Sequence, residues 1–402
     1  MALPTTISGI GFHQPPYRSG KLVFISSTGN VYIIGLDSTN SYIVRAMKAT
    51  DPTSSFSEVD SANRPVTTSP TVGVAAIDVY QVGDVLHIVT QGSSSPSLAL
   101  FYHTFNMATD SWVITDETIK SSTTGSDGTC YISVRETDSK PIVFYVGDTV
   151  NNMGAKQRVR LARKDAGGWT VDIAVDTNTA VNFGVGLLVQ GSSGRMHCLF
   201  SDFTNDDVYQ RCYRSNDAFE TFPSAFDTTA VATTTTNLKF GLQAVIYDSG
   251  GTTKVRVPYT DSGGTVSVAK FDSADTPSIS VDTATADNSP YQSGDLHTPF
   301  IHLLVAKGTD LYLLYPRASD NDLYSDVNSN DGGWGTDTEI WDAVTIRRIS
   351  ANVYIRNGNY TLAYIVDNNA TVQYNEYDLG SAVPPFQPEL FRKSYNDVKI
   401  RM

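Results

Sequence analysis

Four arginines and two aspartates carry the chemistry that is easiest to read from this sequence. They are Arg64, Arg317, Arg347 and Arg348, with Asp320 and Asp322 close behind Arg317. A guanidinium is planar and always charged, so several gathered on one loop face can clamp a carboxylate through paired N–H donors. The same arginines can instead balance an acidic surface or link neighbouring units. Asp202, Asp206, Asp207, Asp320 and Asp322 all fall in turn-like segments. Two carboxyls roughly 5 to 9.5 Å apart suffice for glycoside hydrolysis, although Asp-rich turns also arise as solvated punctuation. Asp326-x-Asn328-x-Asn330 followed by Asp337 places oxygen ligands at the first, third, fifth and twelfth positions of a calcium loop, but Asp331 stands where that loop needs glycine. His13, His87, His103, His197, His297 and His302 lack paired metal spacing, and Cys130, Cys198 and Cys212 lack a zinc pattern. No phosphate-binding loop, nucleophile elbow or dinucleotide fingerprint is present. The expectation is therefore no metal and no cofactor.

The whole chain narrows the partners further. Its 402 residues carry a net charge of −13, and no run of Lys or Arg exceeds two, so phosphate backbones are repelled and nucleic acid is an unfavoured partner. No stretch approaches the ~18 apolar residues of a spanning helix, so membrane insertion is not expected. Met1 to Thr6 lacks the basic and apolar regions of a secretory signal.

The elements that would position these residues are strands. Short alternating runs are separated by Gly, Asn, Asp and Ser turns, with almost no 3.6-residue period, which predicts an all-β fold. The runs group in fours; the clearest group is Val74 to Tyr80, Val85 to Thr90, Leu98 to Phe105 and Trp112 to Thr115. First strands begin near Leu22, Val74, Tyr131, Gly184, Leu242, Phe300 and Ala351, a spacing that predicts a β-propeller of four-stranded antiparallel blades. Seven blades are countable, with six plus an irregular end unit as the alternative. The last unit supplies three strands, so Thr5 to Ile10 is expected to pair as its outer strand and close the ring. Residues 1–380 then form one propeller domain and 381–402 a separate tail. Pro258 must occupy a strand position whose amide is not needed. Cys198 and Cys212 can face each other across one hairpin.

At the turn between third and fourth strands, Ser215-Asn216-Asp217-Ala218-Phe219-Glu220-Thr221-Phe222 resembles the Asp-box of sialidase-like propellers, with Phe219 in place of glycine. Asp165 to Trp169 and Ser329 to Trp334 are shorter versions, and Thr109-Asp110-Ser111-Trp112 is a fainter echo. An Asp in such a turn accepts local amide hydrogens, while the aromatic packs between blades. The resemblance implies a propeller far more than an activity. Sialidase-like enzymes bind a substrate carboxylate with three arginines and use a Tyr–Glu pair with an Asp. Tyr17-Arg18-Ser19-Gly20 sits where the first arginine is expected but lacks the Ile-Pro that should follow Arg18. Glu117 and Glu339 follow outer strands, Glu58 lies within one and Glu376 lies in a third strand, so none is expected near the axis beside a tyrosine. If first strands start at an upper face, the Asp-box turns lie below, and Arg64, Arg317, Arg347 and Arg348 lie above.

The tail reverses the charge of the rest. Phe386, Leu390, Phe391 and Tyr395 are interleaved with Arg392 and further basic residues, which suits either a docking arm or a cover for the propeller. The composition resembles structural proteins of tailed bacteriophages. That resemblance implies a non-enzymatic virion component of the tail, fibre or capsid surface, reaching the outside without a signal peptide. Its partners would be other virion or assembly proteins and a surface glycan. The alternative is a sialidase-like glycoside hydrolase.

Overall fold

The computed structural model describes residues 4–11, 18–19, 22–40, 43–66, 74–92, 99–121, 130–135, 138–146, 159–174, 183–190, 195–202, 207–214, 230–233, 239–240, 244–260, 266–274, 278, 280–284, 302–317, 320, 322–342, 346–368 and 371–381. Its strands sort into seven sheets. Sheet I comprises Val23–Ile25, Val31–Asp37, Val44–Ala49 and Ser57–Glu58. Sheet II comprises Val74–Val82, Val85–Gly92, Leu100–Asn106 and Ser111–Lys120, and sheet III Cys130–Val134, Pro141–Val146, Val159–Asp165 and Gly168–Ala174. Sheet IV is Phe183–Gln190, Arg195–Asp202, Asp207–Arg214 and Ala230–Thr233; sheet V is Val245–Ser249, Thr252–Thr260, Val266–Asp272 and Ser280–Thr283. Sheet VI is Leu303–Lys307, Asp310–Pro316, Leu323–Asn328 and Thr338–Trp341. Sheet VII takes Ile346–Arg356, Asn359–Asn368 and Thr371–Ser381 from the chain's end and Thr5–Thr6 from its beginning.

Each sheet is an antiparallel meander, as tight turns at Gly83, Gly308 and Gly358 allow; all three adopt positive φ. Except at the junction of sheets I and II, which meet through one shared apolar cluster, the first strand of each sheet packs against the inner strands of the one before. Sheet VII returns onto sheet I in the same way. The result is a β-propeller in which successive sheets bury both faces. Apolar residues such as Phe24, Val31, Ile33, Leu86, Ile88 and Phe105 form one such seam. Thr5 pairs with Tyr374 and Thr6 with Gln373, so the N-terminal strand closes the ring as its sequence suggested.

Two further short strands occur at the inner edge: one shares the first lane of sheet I, and the other adds to the axial side of the first strand of sheet II. Ile10–Gly11 pairs with the upper end of the second strand of sheet I, beyond the reach of Val23–Ile25. Arg18–Ser19 adds in parallel to the first strand of sheet II, Arg18 opposite Ala76. In sheet V the first lane is also split: Val245–Ser249 pairs with Thr252 to Arg256 and Lys239–Phe240 with Tyr259 and Thr260. Pro258 falls in the gap between them, where no ladder amide is called for.

Two expectations are corrected. Cys212 pairs with His197 and Cys198 with Arg211, a one-residue offset that prevents the thiols from being cross-strand partners. Glu117 and Glu339 lie within fourth strands rather than after them, because those strands run longer than their apolar cores.

Candidate functional site

The loop joining the second and third strands of sheet VI brings three of the expected site residues together. Its neck is closed by the Arg317 amide donating to the Asp322 carbonyl at 3.0 Å, while the Asp322 amide donates to Asp320 Oδ1 at 3.1 Å. Asp320 thus organises a turn, the local use for which short acidic side chains are favoured. The Arg317 Nε donates to Asp320 Oδ2 at 2.9 Å, and its Nη2 contacts both Asp320 and the Tyr324 hydroxyl. The guanidinium lies over the Tyr324 ring, 3.8 Å from its centroid. The same hydroxyl donates to Glu339 Oε2 at 3.3 Å on the fourth strand.

The electrostatics follow from these contacts. Hydrogen bonding from Arg317 holds the Asp320 carboxyl below its ordinary range. Tyr324 is pushed up to about 12 by desolvation and by the carboxylates of Asp320 and Glu339, so it remains a neutral donor at physiological pH. Tyr324 and Glu339 carry no sequence mark beyond strand position. Only the register, Tyr324 opposite Glu339, reveals the pair.

The remaining arginines are distributed unequally. Arg64 donates to Glu58 Oε1 at 2.8 Å, and Glu58 also holds Arg45, which in turn pairs with Asp37. Arg64 is therefore one end of an alternating charge chain on the outer half of sheet I. Arg18 lies in backbone pairing on the axial edge of sheet II, close to the upper start of its first strand. Arg347 and Arg348 fall in the irregular stretch between Ile346 and Ile349 at the upper start of the first strand of sheet VII. These three backbones thus sit at upper ends of inner lanes. Asp202 and Asp207 are register partners across the upper end of sheet IV, while Asp206 lies outside the described residues. Phe386, Leu390, Phe391, Arg392 and Tyr395 also lie outside them, as does the Ser215 to Phe222 turn.

A second cluster went unforeseen. Glu376 accepts from Tyr354 at 2.6 Å and Tyr374 at 2.7 Å, both on Oε1, and its Oε2 accepts from Arg356. Arg356 also reaches Asp51 of sheet I at 3.1 Å. First and third strands meet here because the intervening residue is the small, fully buried Ala363, opposite both Asn352 and Glu376. The cluster lies in the seam between sheets VII and I, toward the lower turns. Tyr374-x-Glu376, with both side chains on one strand face, was the available signal. Burial pushes His103, His197 and His302 down to about 3, so these imidazoles are neutral at physiological pH. Among the described residues, no group of three or more His, Cys, Asp or Glu side chains is placed to hold a metal ion.

No family model matches the chain, and no curated protein matches it. Solved structures do. An ulvan lyase described as a new family of polysaccharide lyase matches at 11% identity, covering 92% of this chain and 96% of its own, with a TM-score of 0.52. The fucose-recognising lectin of Aleuria aurantia, described as six-bladed, matches at 12% identity over 80% of this chain and 95% of the lectin, TM-score 0.45. A Trypanosoma rangeli sialidase matches at 12% identity over 94% of this chain and 59% of its own, TM-score 0.45. At 11% identity the likeness to the lyase is one of fold alone.

Proposed function

We propose that the seven sheets are seven blades of one propeller domain spanning residues 1–380, and that its upper face binds an acidic glycan without cleaving it. The observation that carries this reading is the placement of Arg18, Arg347 and Arg348 at upper ends of inner lanes in a chain of net charge −13. Positive charge concentrated at one mouth of an acidic ring selects an anionic ligand locally while the rest of the surface repels anions. Arg317, Asp320 and Asp322 form the adjoining rim, where a fixed guanidinium and carboxylates meet sugar hydroxyls. The ulvan lyase sharing the fold is described as bound to a GlcA-containing saccharide; an acidic glycan is the ligand class proposed here.

Binding is favoured over hydrolysis by where the Tyr–Glu pairs lie. Tyr324–Glu339 occupies the outer half of sheet VI, and Tyr354–Glu376–Tyr374 lies in a seam toward the lower face. The first adjoins the rim but is held by Arg317, and the second lies toward the opposite face, so neither places a nucleophile at the axial mouth. The setting we propose is a bacteriophage particle, at the tail, fibre or capsid surface. Residues 381–402 would dock onto another virion protein through Phe386, Leu390, Phe391, Arg392 and Tyr395.

Glycan-array binding tests the reading. Uronate- or sialate-bearing glycans should bind, and R347A/R348A should weaken binding at least tenfold. Turnover of fluorogenic glycosides, lost on changing Arg347 or Arg317, would overturn it in favour of a sialidase-like hydrolase. Particle incorporation unaffected by removing residues 381–402 would end the docking-arm proposal.

A further inference from the structure

Carboxylates that face the propeller seams share a habit: each finds a cation or donor. Asp110 takes Lys48 and Tyr32, Asp331 takes Arg256, Asp172 takes Lys120 and Tyr145, and Asp78 takes the Ile132 amide. Asp326 is different. It lies on the third strand of sheet VI and is 1% exposed, and among the described residues no side chain donates to either carboxylate oxygen, which only the Val327 and Gly335 amides approach. The register that pairs Ser325 with Thr338 sets Asp337 beside it on the fourth-strand side, so two carboxylates face one another across the ladder.

Among the described residues no lysine or arginine pairs with Asp326. Its charge is buried beside that of Asp337, with only the nearby Val327 and Gly335 amides to offset it. An uncompensated buried carboxylate of this kind costs several kcal/mol unless something neutralises it. The surroundings supply oxygen. Asn328 shares the strand face two residues on, and its Oδ1 accepts only a long 3.3 Å bond from Gly333. Asp337 Oδ2 accepts from Tyr315 at 3.1 Å, which fixes its carboxyl in place. Gly335 lies against the pair: a Cβ there would stand 3.9 Å from Asp326 Oδ1 and 3.3 Å from the Val327 carbonyl.

We propose that Asp326 and Asp337, with Asn328 as a third oxygen donor, bind one calcium ion between the third and fourth strands of sheet VI. Two carboxylates balance the dication, an all-oxygen donor set suits a hard ion, and water from the exposed 329–336 turn completes its shell. The ion would do for this turn what Arg256 does for Asp331 and Lys48 for Asp110. The site lies toward the lower face and is independent of the glycan-binding proposal, so either can fail alone.

Thermal unfolding of the full chain in EDTA and in millimolar calcium tests it, with terbium luminescence as a second readout. Calcium at about a hundredfold excess over its Kd should raise Tm by about 3 °C for a chain of this length. The rise should be larger at pH 7 than at pH 5, where protonation competes. Terbium should show emission sensitised by neighbouring aromatics and be displaced by calcium. D337N should abolish both signals while the EDTA-treated protein remains folded, and D326N should do the same if it folds. A Tm indifferent to calcium, with no displaceable terbium signal, overturns the proposal. Magnesium acting as well as calcium would overturn the assignment to calcium.

Discussion

Two seams of the ring solve the same packing problem with different means. Between sheets I and II the chain is continuous, and the polar contacts are spread out. Tyr32 and Lys48 both reach Asp110, Gln81 reaches the Ile25 carbonyl at 2.8 Å, and the Ser27 amide reaches Asp84 at 2.7 Å. Between sheets VII and I the chain crosses through residues 7–9, from the short closing strand to Ile10–Gly11. There the contacts are concentrated: two tyrosines and an arginine converge on Glu376, Arg356 crosses to Asp51, and the buried Ser350 and Asn352 bind the Leu22 amide and the Val23 carbonyl. The closing strand itself has only two ladder residues, helped by Ile7, which is buried and whose amide donates to Val372. A short closure can hold because the seam beside it is densely bonded.

This contrast predicts unequal damage. Removing residues 1–7 exposes the edge of Thr371–Ser381 together with Val372 and Tyr374. It should cost roughly 4 kcal/mol, lowering Tm by about 5 °C, and should promote self-association through the bared strand. Calorimetry with light scattering measures both. A protein of unchanged Tm would show that the ring does not depend on this strand. Next in size, Glu376→Ala leaves Tyr354, Tyr374 and Arg356 without their shared acceptor in a poorly hydrated seam and should cost about 3 kcal/mol in urea unfolding. Glu376→Gln keeps an acceptor and should cost clearly less. Equal losses in the two variants would mean that packing, not charge, holds the seam.

Much of this architecture could be read from residue order. Strand starts at Val74 and near Leu22, Tyr131 and Gly184 followed from period-two patterning between Gly-rich turns, and the incomplete last unit pointed to closure by Thr5. The aromatic positions of the turns also behaved as expected: Trp112, Trp169 and Trp334 pack into seams. What patterning could not give is contact between sheets. Asp110 was read as a cap for its own turn, yet its carboxylate spans the seam to Tyr32 and Lys48, because its positive φ turns the side chain outward. Arg317 was read as an outward clamp, but it folds onto Asp320, three residues away, where one carboxylate oxygen takes two of its donors. The inner-edge strands Ile10–Gly11 and Arg18–Ser19 are two residues each, too short to show a period.

At the continuous seam the losses should be smaller. Asp110→Ala removes acceptors for Tyr32 and Lys48, but the aspartate is over a third exposed and water can replace it, so about 1 kcal/mol is expected. A loss as large as that of Glu376→Ala would erase the distinction between the seams.

The smallest effect belongs to acid. Burial tends to raise the Asp331 carboxyl, but hydrogen bonding and the charge of Arg256 outweigh it and leave the group below its ordinary value. A carboxyl depressed in the folded state adds stability above its unfolded pKa and loses it as pH falls through the folded value. The ion pair between sheets V and VI should therefore weaken only below about pH 4. Asp331→Asn should lower stability at pH 7 and flatten the acid limb by at most one proton's slope, so the two proteins converge in strong acid. Parallel curves down to pH 2 would show that Asp331 titrates alike folded and unfolded, and that the seam owes Arg256 its packing on Tyr247 rather than its charge.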